Sequence, residues 1–236
     1  MVESHRIDSS FSTAPFPDLW RASLASLRAN VLPGIALWIV GIGVVATYYG
    51  VAGAREPFER IAELKARHGY AYSGLATALF GGLIPFLYLW WADQIPKGQR
   101  GAWAAFFVIY WAIRGMEVDL LYRLQADWFG DASDWRTIGK KVIVDQFVYC
   151  PFWSAWITAI FYGWRDVGFS WARLRPQLRR ICLFGVPSVL LSIWIVWIPA
   201  TAIIYALPLE LQIPLFNLVL CFFVLLISVL SKNTVV

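Results

Sequence analysis

Arg114, Glu117, Asp119 and Arg123 interrupt a stretch of the chain that is otherwise apolar. On a helix, Arg114 and Glu117 are i,i+3 neighbours, and Asp119 and Arg123 are i,i+4 in the favourable acid-first order. A charged group at the centre of a bilayer costs about 2.5–3.5 kcal/mol on insertion scales. Facing lipid, these groups would carry that cost uncompensated. They must pair, point into a bundle, or touch water. Asp145-Gln146 poses the same choice at the start of the next apolar run. Arg114, Glu117, Asp119 and Asp145, with Gln146 beside them, are therefore the candidates for lining or gating a polar path. Arg114 and Glu117 are also placed to meet Asp145 on the following helix. The competing reading ends the membrane segment near Arg114 and lets the helix continue into water.

Other chemistry finds no support. His5 and His68 are far apart and make no metal-ligand pair. The sequence holds no phosphate-binding glycine loop and no nucleophile elbow. Cys150, Cys182 and Cys221 are odd in number and fit neither a disulfide framework nor a metal site, so they read as inert buried thiols. No cofactor, no metal and no enzymatic activity is expected. An intramembrane enzyme acting on lipid would need a nucleophile or metal cluster that is not visible.

The elements that must hold these charges are written in the apolar runs. The chain has 236 residues, of which 59% are hydrophobic and 15% charged, with a mean hydropathy of +0.60. A soluble domain is about 25% charged, so lipid is the solvent this composition suits. A span needs about 20 apolar residues. Residues 29–54, 69–92, 146–164, 181–209 and 211–231 carry no Asp, Glu, Lys or Arg, and 101–113 is a shorter sixth run. The expected fold class is all-α: a polytopic transmembrane helical bundle of five to six spans with amphipathic interfacial helices.

Along the chain, residues 1–17 read as disordered, and a short interfacial helix over 18–30 completes an amino-terminal region, 1–30. A first span fills 31–54. Residues 55–67, with Phe58, Ile61 and Leu64 at helical spacing, read as a surface helix that Gly69 stops. The second span, about 70–91, should kink near Gly81, Gly82 and Pro85. A turn at Ile95-Pro96-Lys97-Gly98 leads into the third. Ser133 or Asp134 can cap the fourth. Pro187 and Pro199 should bend the fifth, and the sixth covers about 211–231.

The net charge of +5 reads as the basic bias of membrane loops, not as a nucleic-acid surface. The 165–180 loop is its densest part. Arg173, Arg175, Arg179 and Arg180 there are expected to attract anionic lipid, while Trp171, Leu174 and Leu178 form the apolar face of a headgroup-level helix. Lysines and arginines sum to 11 on the side of both termini and 8 on the other, which favours both termini inside.

From Lys141 the chain reads KVIVDQFVYCP. This resembles the lysine, aspartate-glutamine and proline pattern of the Mpv-seventeen and peroxisomal membrane protein family, matched by Lys141, Asp145, Gln146 and Pro151. Gly168 and Ser170 match its glycine-x-serine. Trp194 and Trp197 match its paired tryptophans, and Pro208 and Asn217 its later proline and asparagine. Upstream, Gly115 and Tyr122 match a glycine and a tyrosine. Departures are Met116 where the family has proline, Ile198 before Pro199, and Gln212 in place of arginine. The resemblance covers about 70–231, as a divergent member with an added first span. It implies a mitochondrial inner-membrane or peroxisomal protein, or a bacterial cytoplasmic-membrane relative. It also implies a channel for small metabolites. The leading expectation is thus a channel or pore-like protein for small solutes. A non-conducting membrane scaffold or assembly factor is the alternative, and a homo-oligomer is compatible with either.

Overall fold

The computed structural model describes residues 16–182 and 186–232, and every regular element among them is helical. The disorder expected over 1–17 falls almost wholly outside these residues. Helix α1, Phe16–Gly50, runs unbroken through the point where an interfacial helix was expected to hand over to a span. A one-turn Ala52–Ala54 helix leads into α2, Arg55–Thr77.

Gly69 does not stop α2. It takes φ +52°, a conformation that favours glycine, and kinks the rod while helix resumes beyond it. A π-helical stretch, Ala78–Leu83, then joins α2 to α3, Ile84–Trp91. The cause is Pro85, which lacks an N–H and whose ring would crowd the Gly81 carbonyl in a regular α-helix. The expected surface helix and second span are therefore one rod of 37 residues, Arg55–Trp91.

Helix α4, Arg100–Phe129, is continuous past Arg114, Glu117, Asp119 and Arg123. Asp134 caps α5, Trp135–Val144, by accepting from the amides of Arg136 and Thr137. The Thr137 hydroxyl and those amides hold the Asp134 carboxyl below its ordinary pKa. A second π-helical stretch, Asp145–Ser154, contains Pro151 and passes into α6, Ala155–Asp166. Helices α7 (Trp171–Arg180), α8 (Val186–Tyr205) and α9 (Leu209–Lys232) complete the chain.

Contacts fix the directions of the long helices. Gly34 lies against Val196 and Gly41 against Ile203, so α1 and α8 run parallel. The Trp38 indole seals that contact by donating to the Val196 carbonyl at 2.9 Å. Gly74 and Gly82 lie against Met116 and Phe107 respectively, so α4 runs antiparallel to the α2–α3 rod. Tyr110 meets Thr158 and Arg114 meets Ser154, so the α5–α6 rod runs antiparallel to α4. Small residues make these approaches possible. A Cβ on Gly82 would come 2.7 Å from the Phe107 carbonyl, and one on Gly115 would overlap the Thr77 side chain.

One core cluster joins Tyr122 on α4 to Val196, Ile204, Ile213 and Val219 on α8 and α9. A second is aromatic: Phe86, Trp103, Phe106, Phe107 and Tyr110, with Tyr162 against it. Helix α7 is held to α6 through Leu174, which is fully buried beside Gly163, while Trp171, Arg173, Arg175 and Arg179 stay exposed.

Among the described residues one helix, Arg55–Trp91, is both long and apolar enough to cross a membrane. Gly34–Gly50, Trp194–Tyr205 and Leu209–Leu225 are shorter apolar stretches.

Candidate functional site

Three polar stations hang on α4, each tied to a different neighbour. At the first, Arg114 Nη1 donates to both carboxylate oxygens of Glu117, at 2.6 and 2.7 Å. Its Nη2 donates to Ser154 Oγ at 2.5 Å. Glu117 Oε1 also accepts from the Tyr149 hydroxyl at 2.5 Å and the Trp153 indole at 2.8 Å. Tyr149, Trp153 and Ser154 reach one ion pair because they sit in the π-helical stretch. Its wider turn brings residues i and i+5 onto one face, beside i+4.

At the second station, Asp119 Oδ2 accepts from Lys65 Nζ and from Ser73 Oγ, both at 2.7 Å. Its Oδ1 accepts from Arg123 Nε at 3.2 Å. Lys65 and Asp119 are each 1% exposed, so this is an ion pair without solvent. Gly115 is the enabling residue. Lacking a side chain, it lets the Ser73–Thr77 turn of α2 press against α4, one turn before Asp119.

At the third station, Gln125 Nε2 donates to the Tyr205 hydroxyl at 2.8 Å, and that hydroxyl donates to Asp145 Oδ2 at 2.7 Å. Gln146 Nε2 donates to Asp145 Oδ1 at 2.8 Å, and the Trp194 indole donates to the Gln146 carbonyl at 2.9 Å. The Lys141 ammonium lies 5.8 Å from the Tyr205 ring centre and 3.5 Å from Asp131 at the surface.

The expected i,i+3 and i,i+4 pairs on α4 therefore form. The expected meeting of Arg114 or Glu117 with Asp145 does not. Asp145 turns to Tyr205 and Gln146, and Arg114 takes Ser154 instead. Helix α4 does not leave the bundle at Arg114, which is 6% exposed.

Lys65 is the residue the sequence reading misplaced. It lies in 55–67, the stretch expected to be a surface helix, and is instead buried against α4. Phe58, Ile61 and Leu64 were its expected apolar face, but Ile61 and Leu64 are exposed and Phe58 packs beside the core. Ser73, Tyr149, Trp153 and Tyr205 were missed too. The i,i+4 spacing of Tyr149 and Trp153 was the one local signal for any of them.

The remaining motif positions are structural. Pro151 lies in the π-helical stretch, and Gly168 takes φ +72° in the turn before α7, whose N-cap is Ser170. Trp197 packs on Phe216 and Phe223. Pro208 starts the α9 turn, where Gln212 donates to the Leu207 carbonyl at 3.0 Å. Asn217 is buried, and neither polar atom of its side chain has a partner. Cys150, Cys182 and Cys221 are unpaired thiols, and no group of three or more metal-ligating side chains occurs among the described residues.

These contacts make a polar track in two runs along the seam between α4 and the α5–α6 rod. Arg165, paired with Asp166 at 2.6 Å, lies over the Tyr162 ring at 4.3 Å. Tyr162 touches Tyr110, whose hydroxyl meets Thr158 at 2.8 Å. Thr158 bonds the Ser154 carbonyl, Ser154 meets Arg114, and Arg114 holds Glu117 and Tyr149's partner oxygen. The second run begins one helical turn from Tyr149, where Asp145 meets Tyr205, Lys141 lies near the Tyr205 ring and Lys141 reaches Asp131.

Comparison of the chain with protein-family models, with curated proteins and with solved structures returns no match.

Proposed function

We propose that the chain is an integral membrane helical bundle whose α4–α6 seam carries small polar solutes across the bilayer. The exterior supports the membrane part. Leu32, Leu75, Ile109, Ile113 and Phe152 are all more than half exposed along the long helices, a surface that water would not tolerate. The parallel α1/α8 pair and the antiparallel α2–α3/α4 and α4/α6 pairs match an up-and-down bundle with six crossings. In this reading both π-helical stretches lie inside the membrane, the second beside the Arg114–Glu117 pair that its side chains hold.

The observation that carries transport is the polar track. Its two runs reach Arg165–Asp166 at one end of the seam and Lys141–Asp131 at the other. Two amide oxygens on it, Gln125 Oε1 and Gln146 Oε1, are buried without a partner, and such sites take up water. The Arg114–Glu117 pair would be the closed gate. Residues 70–231 resemble the Mpv-seventeen and peroxisomal membrane protein family, which favours the same reading.

The test is flux. Purified protein in liposomes should release small solutes, and Glu117→Gln should change the rate or the charge preference by severalfold. Wild-type liposomes as tight as empty ones would defeat the proposal.

A second reading, a non-conducting scaffold, is favoured by one observation: Lys65, Arg114, Glu117 and Asp119 all have short-range partners already. In that case Glu117→Gln lowers the melting temperature and leaves permeability at the empty-liposome level.

A further inference from the structure

Beside the polar track, a groove of about 570 Å³ opens laterally between α4 and α6. Its walls are apolar: Ala105, Ile109, Ile113, Trp153, Ile157 and Phe161 are among them. It extends along α4 from Ala102 to Glu117, about 22 Å at helical rise. One leaflet of hydrocarbon is about 15 Å deep, so a single acyl chain lies wholly within that length.

The rim at the Ala102 end is basic. Phe169, which lines the groove, is fixed at φ +59° between Trp164 and Phe106. Next to it, Gly168 is flanked by Gln99 Nε2 and Arg173 Nη1. Arg173 is exposed and has no ion-pair partner among the described residues. Arg100, one residue from Gln99, pairs through Nη2 with Asp93 at 3.4 Å and keeps a buried Nε without an acceptor. Lys97 is exposed on the same turn. The opposite end closes on Arg114 and Glu117, which satisfy each other and leave no charge for a second headgroup.

We propose that this groove is a binding site for one anionic phospholipid, with an acyl chain along α4 and α6 and its phosphate at Arg173 and Arg100. An acyl chain fits within the length of the apolar trough, and the headgroup answers Arg173, which has no ion pair among the described residues, with Arg100 beside it. The bound lipid would form the outer wall of the polar seam. The proposal rests on the membrane reading above, but not on conduction.

The experiment uses the full chain in detergent, stripped of lipid, then titrated with phosphatidylglycerol or phosphatidylcholine of identical acyl chains. Native mass spectrometry reads the bound lipid. Phosphatidylglycerol should bind more tightly than phosphatidylcholine, by about fivefold for each arginine engaged. Arg173→Ala with Arg100→Ala should erase that preference and leave the weaker, headgroup-blind binding. Ala105→Trp should fill the trough and abolish both. Should that variant misfold, a photoactivatable phosphatidylglycerol should label Ile109 or Ile157 in the wild-type chain. Equal binding of the two lipids, labelling spread evenly over the bundle, or protection by inorganic phosphate alone would overturn the site. A chain that stays in solution without detergent would instead overturn the membrane reading.

Discussion

Asp119 accepts from Lys65, Ser73 and Arg123, and a carboxylate so enclosed is sensitive to the loss of any one donor. Removing one partner of a buried ion pair strands the other charge, at a cost of about 3–5 kcal/mol. Lys65→Met alone, or Asp119→Leu alone, should therefore unfold the bundle well below the wild-type melting temperature in detergent. The double variant should recover most of the loss, because an apolar pair of similar volume removes both desolvation costs. A double variant no better than the worse single would mean that the pair holds a geometry apolar contacts cannot replace. At the surface, Asp134 acts alone. Its folded pKa lies below the ordinary value, so its contribution is complete above about pH 4 and fades as pH falls through the folded pKa. Protection of the Arg136 and Thr137 amides, taken against their intrinsic exchange rates, should thus fall on acidification, and Asp134→Ala should remove that pH dependence.

At the scale of elements, the α2–α4 crossing decides where the charges meet. Gly115 allows the approach, and any side chain there collides with Thr77 and the Ser73 carbonyl. Gly115→Leu should destabilise the fold by at least about 1–3 kcal/mol, the range for overpacking. It should also separate Ser73 from Asp119. Gly139, whose added Cβ would meet nothing within 4 Å, is the control position, and Gly139→Ala should leave the melting temperature within a degree or two of wild type. Prolines shape the other seam. Pro85 and Pro151 each fall in or beside a π-helical stretch, and the second stretch delivers Tyr149, Trp153 and Ser154 to one ion pair. The apolar runs announced that helices would be there, and Pro85 announced a kink in the second span; the fifth, expected to bend at Pro187 and Pro199, is one helix over Val186–Tyr205. That a bend would become a π-helical turn, re-aiming three side chains, depends on what lies across the seam.

For the whole molecule, the directions of packed neighbours make a topological prediction. Helices α1 and α8 run parallel, as do α2 and α9, where Glu210 lies near Lys65 at one end and Leu220 meets Gly81 at the other. In a six-crossing bundle this alternation puts both termini on one side. Membrane-impermeant labels attached at each end should be reached from the same face of sealed vesicles. Opposite labelling would remove one crossing and break the up-and-down order. The lysine and arginine excess on the terminal side predicts that the shared face is the inner one.

The sequence by itself determined the secondary structure class, the approximate course of the long helices, and the two ion pairs internal to α4. These are local or periodic properties: an uncharged run needs apolar surroundings, and i,i+3 or i,i+4 neighbours meet on any helix. Tertiary structure decided the rest. Lys65 sits among surface-type residues in a charged stretch, and nothing local distinguishes it from Lys140 until Asp119 is brought against it by a glycine on another helix. Asp145 was expected to meet Arg114 or Glu117, and the crossing of α8 gives it Tyr205 instead. Interactions within one helix are set by its own spacing. Interactions between helices depend on crossing angle and register, which arise from the whole bundle packing at once.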